Sequence, residues 1–156
     1  MASKKLKVQG SRFFAFDGEN IKRMQCLKTF DPGSDSTTKI DDTCLDEPDT
    51  KSSVPGLSDP GDGSLGFDID IKNPSHLEIV EWANQKKQLT IIVGSADSDA
   101  VPTVEDGALI FPKTRTWWVF DATLTTPVWK FDQDTLVNCT ITMQRKSKTD
   151  FKPETT

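Results

Sequence analysis

The chain has 156 residues, enough for one domain with its own core. Its apolar share of 35% against 28% charged leaves part of that length to solvated loops. Three cysteines cannot all pair, no apolar segment follows the basic N-terminus, and no run approaches the roughly 20 apolar residues of a bilayer span, which argues against a secreted disulfide scaffold and a membrane helix and for synthesis in a reducing cytosol.

The net charge of −5 is unevenly spread. Residues 1–30 hold seven Lys or Arg and two acids, whereas residues 31–70 hold eleven carboxylates against Lys39 and Lys51 alone. Arg145, Lys146, Lys148 and Lys152 turn the C-terminal end basic again. Such a layout suits head-to-tail attraction between copies, because complementary potentials steer association and set register.

Residues 1–10 lack apolar periodicity and read as a flexible arm carrying Lys4, Lys5 and Lys7, with residues 11–147 as a single β-domain and 148–156 as a C-terminal tail. Ser11 to Asp17 and Lys22 to Phe30 read as two strands of a hairpin around Gly18-Glu19-Asn20, and Lys39 to Thr43 as a short strand. From residue 44 to 64 three prolines, three glycines and a run of acids erase any period and predict a long acidic surface loop. Gly66 to Lys72 alternates, with Phe67, Ile69 and Ile71 on one face and Asp68, Asp70 and Lys72 on the other, as a half-buried strand does. Asn73-Pro74-Ser75-His76-Leu77-Glu78 then supplies an N-cap, a proline at the first helical position and a capping box for a helix over about 74–84.

Gln88 to Gly94 is rich in β-branched residues and predicts a strand; Ser95 to Asp106 reads as a second acidic loop. Ala108 to Phe111, Thr116 to Thr125 and Leu136 to Gln144 follow as strands, the last with Val137, Cys139, Ile141 and Met143 facing a core. The sum is a mainly β chain, a β-sandwich or open barrel with one flanking helix and a long loop. Trp117 and Trp118 are adjacent on a strand and must point to opposite faces, so one enters the core and the other a second packing layer or an interface.

Catalytic chemistry is poorly supplied. A single histidine removes most dyads and triads, which need a base and usually an orienting acid near a nucleophile, and His76 at the first turn of a helix reads as structural; the three cysteines lack zinc spacing, so no cofactor or metal is expected. Asp59-Pro60-Gly61-Asp62-Gly63 and Asp97-Ser98-Asp99 offer calcium-type oxygens without the EF-hand spacing.

Thr43-Cys44-Leu45, Asp49, Lys51, Val54-Pro55-Gly56-Leu57, Asp59, Gly61, the stretch Phe67 to Ile71 and Pro74-Ser75-His76 resemble, in order and spacing over residues 36–95, the tail tube (major tail) proteins of long-tailed phages of the siphovirus type. The resemblance implies a structural virion protein, not an enzyme, with a fold related to type VI secretion tubes. It implies hexameric rings stacked into a tube, with tape measure, terminator and distal tail proteins as partners, no membrane, and genomic double-stranded DNA passing through the lumen without specific binding. It assigns neighbour contacts to the long loop, here Asp46, Asp49, Lys51, Val54, Pro55, Gly56 and Leu57, and ring stacking to the arm with Lys4, Lys5 and Lys7. Asp68 and Asp70 are the candidate lumen residues, since an acidic wall repels phosphates that a basic one would hold. No C-terminal immunoglobulin-like decoration domain is evident. The rival readings are a single-ring tail terminator or completion protein, separable by copy number in the particle, and a small ion- or glycan-binding β-sandwich module.

Overall fold

The computed structural model describes residues 3–155. Met1, Ala2 and Thr156, part of the predicted arm and tail, lie outside the described residues.

The first hairpin forms as expected: β1 (Arg12–Phe16) pairs antiparallel with β2 (Ile21–Met24). Asp17 closes the turn by accepting the backbone N–H groups of Glu19 and Asn20. The expected second strand is split. Cys26 takes a left-handed backbone conformation, φ 58°, and β3 (Thr29–Asp31) leaves in a new direction to pair elsewhere.

The predicted 44–64 loop contains a strand. β4 (Ser36–Asp41) pairs with β5 (Ser53–Asp59), 42–52 form the connecting tip and 60–62 a short link, and β6 (Gly63–Asp68) starts before the loop was expected to end. Periodicity missed β5 because alternation reports one buried face. Every residue of β4 and β5 except Gly56 is exposed.

β6 also ends earlier than predicted. Asp70 accepts the backbone N–H of Lys72 in a turn, and Ile71, assigned to the core face, is 76% exposed. The helix α1 (Pro74–Gln85) follows, with the Asn73 side chain accepting the N–H of Ser75 and Lys86 closing the C-terminus in a left-handed conformation. β7 (Gln88–Gly94) matches its predicted span. β8 (Thr103–Glu105) and β9 (Ala108–Ile110) make a small separate hairpin inside the predicted second acidic loop and just after it.

β10 (Trp117–Leu124) and β11 (Val128–Lys130) form one interrupted strand along β12 (Asn138–Arg145), the break falling at Pro127, which has no N–H to donate. The predicted C-terminal tail contains a short strand: β13 (Asp150–Lys152) pairs with the start of β10, and the N–H groups of Glu154 and Thr155 reach Thr116 and Lys113.

The main sheet runs β2-β1-β7-β10-β12-β6-β3, with β11 on β12 and β13 on β10. Laid flat, the five strand spacings from β1 to β3 would span roughly 24 Å. Yet the Phe13 ring of β1 lies 4.7 Å from the Phe30 ring of β3, and Phe30 lies 6.3 Å from Phe120 of β10. The sheet is therefore curled into an open barrel. Its interior holds Ala15, Leu65, Phe67, Leu89, Ile91, Phe120, Ile141 and Met143, and α1 adds Ile79, Trp82 and Ala83. His76 locks the helix in place: its Nδ1 accepts the N–H of Asp70, its Nε2 donates to the Gln25 carbonyl, and its ring lies 4.5 Å from that of Phe67.

The outer face is covered at one end only. Phe14, Ile92 and Trp117 form a second cluster beneath Ala100, Leu109 and Phe111. Arg115, wholly buried, ties the covering segment down by donating to the carbonyls of Ser95 and Ala100, and it lies over the Trp117 ring. Trp117 is thus the tryptophan of the second layer. Trp118 faces the barrel mouth, half-buried against Phe151.

The junction between the body and the β4–β5 arm is made of backbone. A Cβ on Gly61 would sit 1.9 Å from the Ser34 carbonyl oxygen, and one on Gly63 would sit 2.3 Å from that of Asp31. Arg145, continuing the core-facing alternation of β12, donates to the carbonyls of Pro32 and Ser147, pairs with Asp35 at 2.8 Å and lies over Phe120. Gly61→Ala should cost about 1–3 kcal/mol in a urea titration, because backbone must move to admit the methyl; an unchanged midpoint would show that the two segments do not pack this closely. Arg145→Met, which leaves Asp35 unpaired and two carbonyls without a donor, should cost about 3 kcal/mol, the low end for a broken buried pair since Asp35 is partly solvated. Asp35→Asn should cost clearly less in the same titration.

Candidate assembly surfaces

Among the described residues, three surfaces are candidates for contacts between copies. The first is the arm. β3 with β6 and then β4 with β5 make one long hairpin, kinked where Pro32 and Pro60 interrupt the ladder, and the outer half projects from the barrel by roughly 20 Å for a six-residue strand. A two-stranded hairpin alone is at best marginally stable in water. This one nevertheless leaves Ile40 55%, Leu57 89% and Leu45 fully exposed.

Of the residues assigned to neighbour contacts, Asp46, Asp49 and Lys51 lie in the tip and Val54, Pro55, Gly56 and Leu57 in β5. Val54 stands opposite Ile40, and Pro55 opposite Lys39. Gly56 faces the bulge between Thr37 and Lys39, where a Cβ would come within 2.5 Å of the Thr38 hydroxyl. The stretch from Asp41, at the end of β4, to Asp49 holds five carboxylates and no base, and Lys51 follows on the return side of the tip. Asp41 has its carboxyl held below the usual range by the hydroxyl and N–H of Thr43, so it stays charged in mild acid.

The second surface is the outer face of β6 and β12, beyond the reach of the covering segment. The register sets Asp68 opposite Asn138, Gly66 opposite Thr140 and Ser64 opposite Thr142, and the Asn138 amide donates to Asp68. β3 adds Thr29 and Asp31, and β11 adds Val128 and Lys130, the latter paired with Asp132 at 3.5 Å. The face is rich in hydroxyl and amide groups and carries two carboxylates against one paired ammonium. Asp68 and Asp70, predicted side by side, are separated: Asp68 is on this face and Asp70 is in the turn beyond it.

The third surface is the N-terminal segment. Lys4 ion-pairs with Glu154 and with Asp97, the latter at 2.9 Å, and its ammonium pKa is raised by these two bonds. Asp97 is held below the usual carboxylate range by the Ser95 hydroxyl and then by Lys4. Lys5 and Lys7 are exposed. The two calcium-type turns are otherwise engaged or open: Asp99 pairs with Arg12 at 3.1 Å, and among the described residues no group of three or more His, Cys, Asp or Glu converges on a metal position. Sequence reasoning missed Arg145, although the core periodicity of Cys139, Ile141 and Met143 runs on to it by the same step of two.

Comparison with known proteins agrees with this architecture. Residues 4–155 match the sequence model of the family described as phage tail tube, TTP, lambda-like. "Structural protein 3" of Pseudomonas phage PAJU2 is 25% identical over 97% of this chain and 96% of its own. A chain of the PVC extracellular contractile injection system sheath-tube complex in the extended state superposes with a TM-score of 0.68 at 15% identity, covering 96% of this chain and 92% of that one. The SPP1 tail tube superposes at 0.61 with 11% identity, over 97% and 81%. At such identities the structural likeness establishes the fold, and the sequence match over nearly the whole chain establishes the family. The chain belongs to the lambda-like phage tail tube family, whose members are structural proteins of the virion tail.

Proposed function

We propose that copies of this chain stack as hexameric rings into a tube of the siphovirus type whose lumen delivers the genome, and that the β4–β5 arm is completed only by a neighbouring copy. The observation that carries the reading is the arm itself. A hairpin whose strands are exposed almost throughout, held at its base by backbone packing at Gly61 and Gly63, is stiff where it leaves the body and unsatisfied where it ends. Pairing between copies also covers the free sheet edges that would otherwise invite uncontrolled addition. Six copies giving about four strands each would close a barrel of about twenty-four, past the 16 to 18 at which an aqueous channel opens.

The β6–β12 outer face suits the lumen. It is hydroxyl-rich, with Asp68 and Asp31 as its carboxylates, so it wets easily and offers phosphates no unpaired cation. Asp70 would sit at the rim of that wall. Lys5 and Lys7, outside the pairing that engages Lys4, are the cations of the N-terminal segment left for contacts between rings, with terminator, tape measure and distal tail proteins meeting the ends of the tube.

Purified protein should pass from monomer to rings or tubes as concentration rises, read by sedimentation and negative-stain microscopy. Replacing residues 42–52 by a two-residue Asn-Gly turn should keep the circular dichroism of the barrel and abolish the large species. Tubes formed normally by the shortened chain would refute the arm's role. For the lumen, Asp68→Lys with Thr140→Lys adds three positive charges per subunit; tails should assemble, and DNA ejection should slow in a salt-dependent way, faster at high ionic strength. Ejection at the wild-type rate in low salt would mean that this face does not meet DNA.

A further inference from the structure

The open barrel has a seam. β1 and β3 approach through their side chains without a hydrogen-bonded ladder, and between them lies a groove of about 470 Å³. Its floor is aromatic, from Phe13, Phe30, Trp118 and Phe120, and its walls are the N-terminal segment Leu6 to Ser11 and the β2–β3 connection. Lys7 and Lys28 stand on the lining, and no carboxylate does. Nothing within the described chain fills it.

Resting on the assembly reading above, we propose that this seam groove is the receptor for the arm tip of a second copy, with Leu45 as the apolar anchor and Asp46 and Glu47 meeting Lys7 and Lys28. The two surfaces complement each other in both chemistries. Leu45 is fully exposed and flanked by carboxylates, Asp42 on one side and Asp46 and Glu47 on the other, while the groove offers aromatic surface behind ammonium groups. Burying one leucine in such a site supplies roughly 1.5–3 kcal/mol, and the charges around it choose the partner and orientation. The chain's own tip is an unsuitable occupant, because the arm leaves the body through the Gly61 and Gly63 contacts, which folding back would break. The N-terminal segment, as one wall, then contributes to stacking through the groove as well as through its free lysines.

The test is a charge exchange in the full chain. Lys7→Glu with Lys28→Glu should leave circular dichroism unchanged and raise the concentration needed for rings or tubes by about tenfold or more. Adding Asp46→Lys and Glu47→Lys to the same chain should restore assembly. Cys44, exposed beside Leu45, gives an independent readout: in a Cys26→Ser background with Thr149→Cys on the groove, mild oxidation should yield covalent dimers and higher ladders on a non-reducing gel, dependent on both thiols. Wild-type assembly by the lysine-reversed chain, or no rescue by the second exchange, or absence of a Cys44–Thr149→Cys dimer, overturns the groove assignment while polymerisation of the wild type stands. A wild-type chain that never polymerises, together with absence of the dimer in the Thr149→Cys chain, overturns both.

Discussion

A single sheet presents two faces to solvent, and each must be buried, covered or made polar. In this chain every sector of the sheet meets that constraint differently. The inner face is buried by curling, so that Phe13 and Phe30 touch although four strands lie between theirs. The outer face at the β1–β7–β10 end is covered by the segment that Arg115 pins over Trp117. The outer face at the β6–β12 end is left open and is built from Ser64, Thr140, Thr142 and Asp68. Choosing hydroxyls there permits a wide water-facing wall without an aggregation-prone apolar patch.

The same economy explains the position of the helix. A curled sheet that does not close by hydrogen bonds leaves a gap, and α1 fills it with Ile79, Trp82 and Ala83 while His76 bonds both to the chain entering the helix and to the end of β2. The only histidine is thus a structural bridge, with both ring nitrogens engaged. The seam between β1 and β3 has no such plug among the described residues. A barrel whose seam is left open is suited to completion by another copy.

The arm connects folding to assembly. Gly61, Gly63 and Arg145 spend the tight packing of the body on fixing where the hairpin starts, and the hairpin beyond has almost no buried residue. Stability and polymerisation are therefore separable by mutation: changes at the base act on the fold, and changes at the tip act on contacts between copies. The charge layout follows the same division, with carboxylates concentrated on the tip and ammonium groups at the N-terminal wall of the seam.

Local chemistry in the sequence was enough to determine the elements that carry their own signals. The Gly18-Glu19-Asn20 turn, the Asn73-Pro74 helix start, the β7 span and the Cys139–Met143 alternation are all encoded by nearest neighbours, and the family was legible in the order of short motifs around residues 43–76. What depended on distant partners was not. β5, β11 and β13 have no buried face of their own, so no period marks them, and each exists because another strand's free backbone groups lie alongside. Ile71 kept the alternation of a strand but lies in a turn, because the N–H of Asp70 is taken by His76 instead of a ladder. The separation of Asp68 from Asp70, the choice of Trp117 over Trp118 for the outer layer and the seam groove were decided only by the curl of the sheet, a property of nine strands together that no local stretch of residues contains.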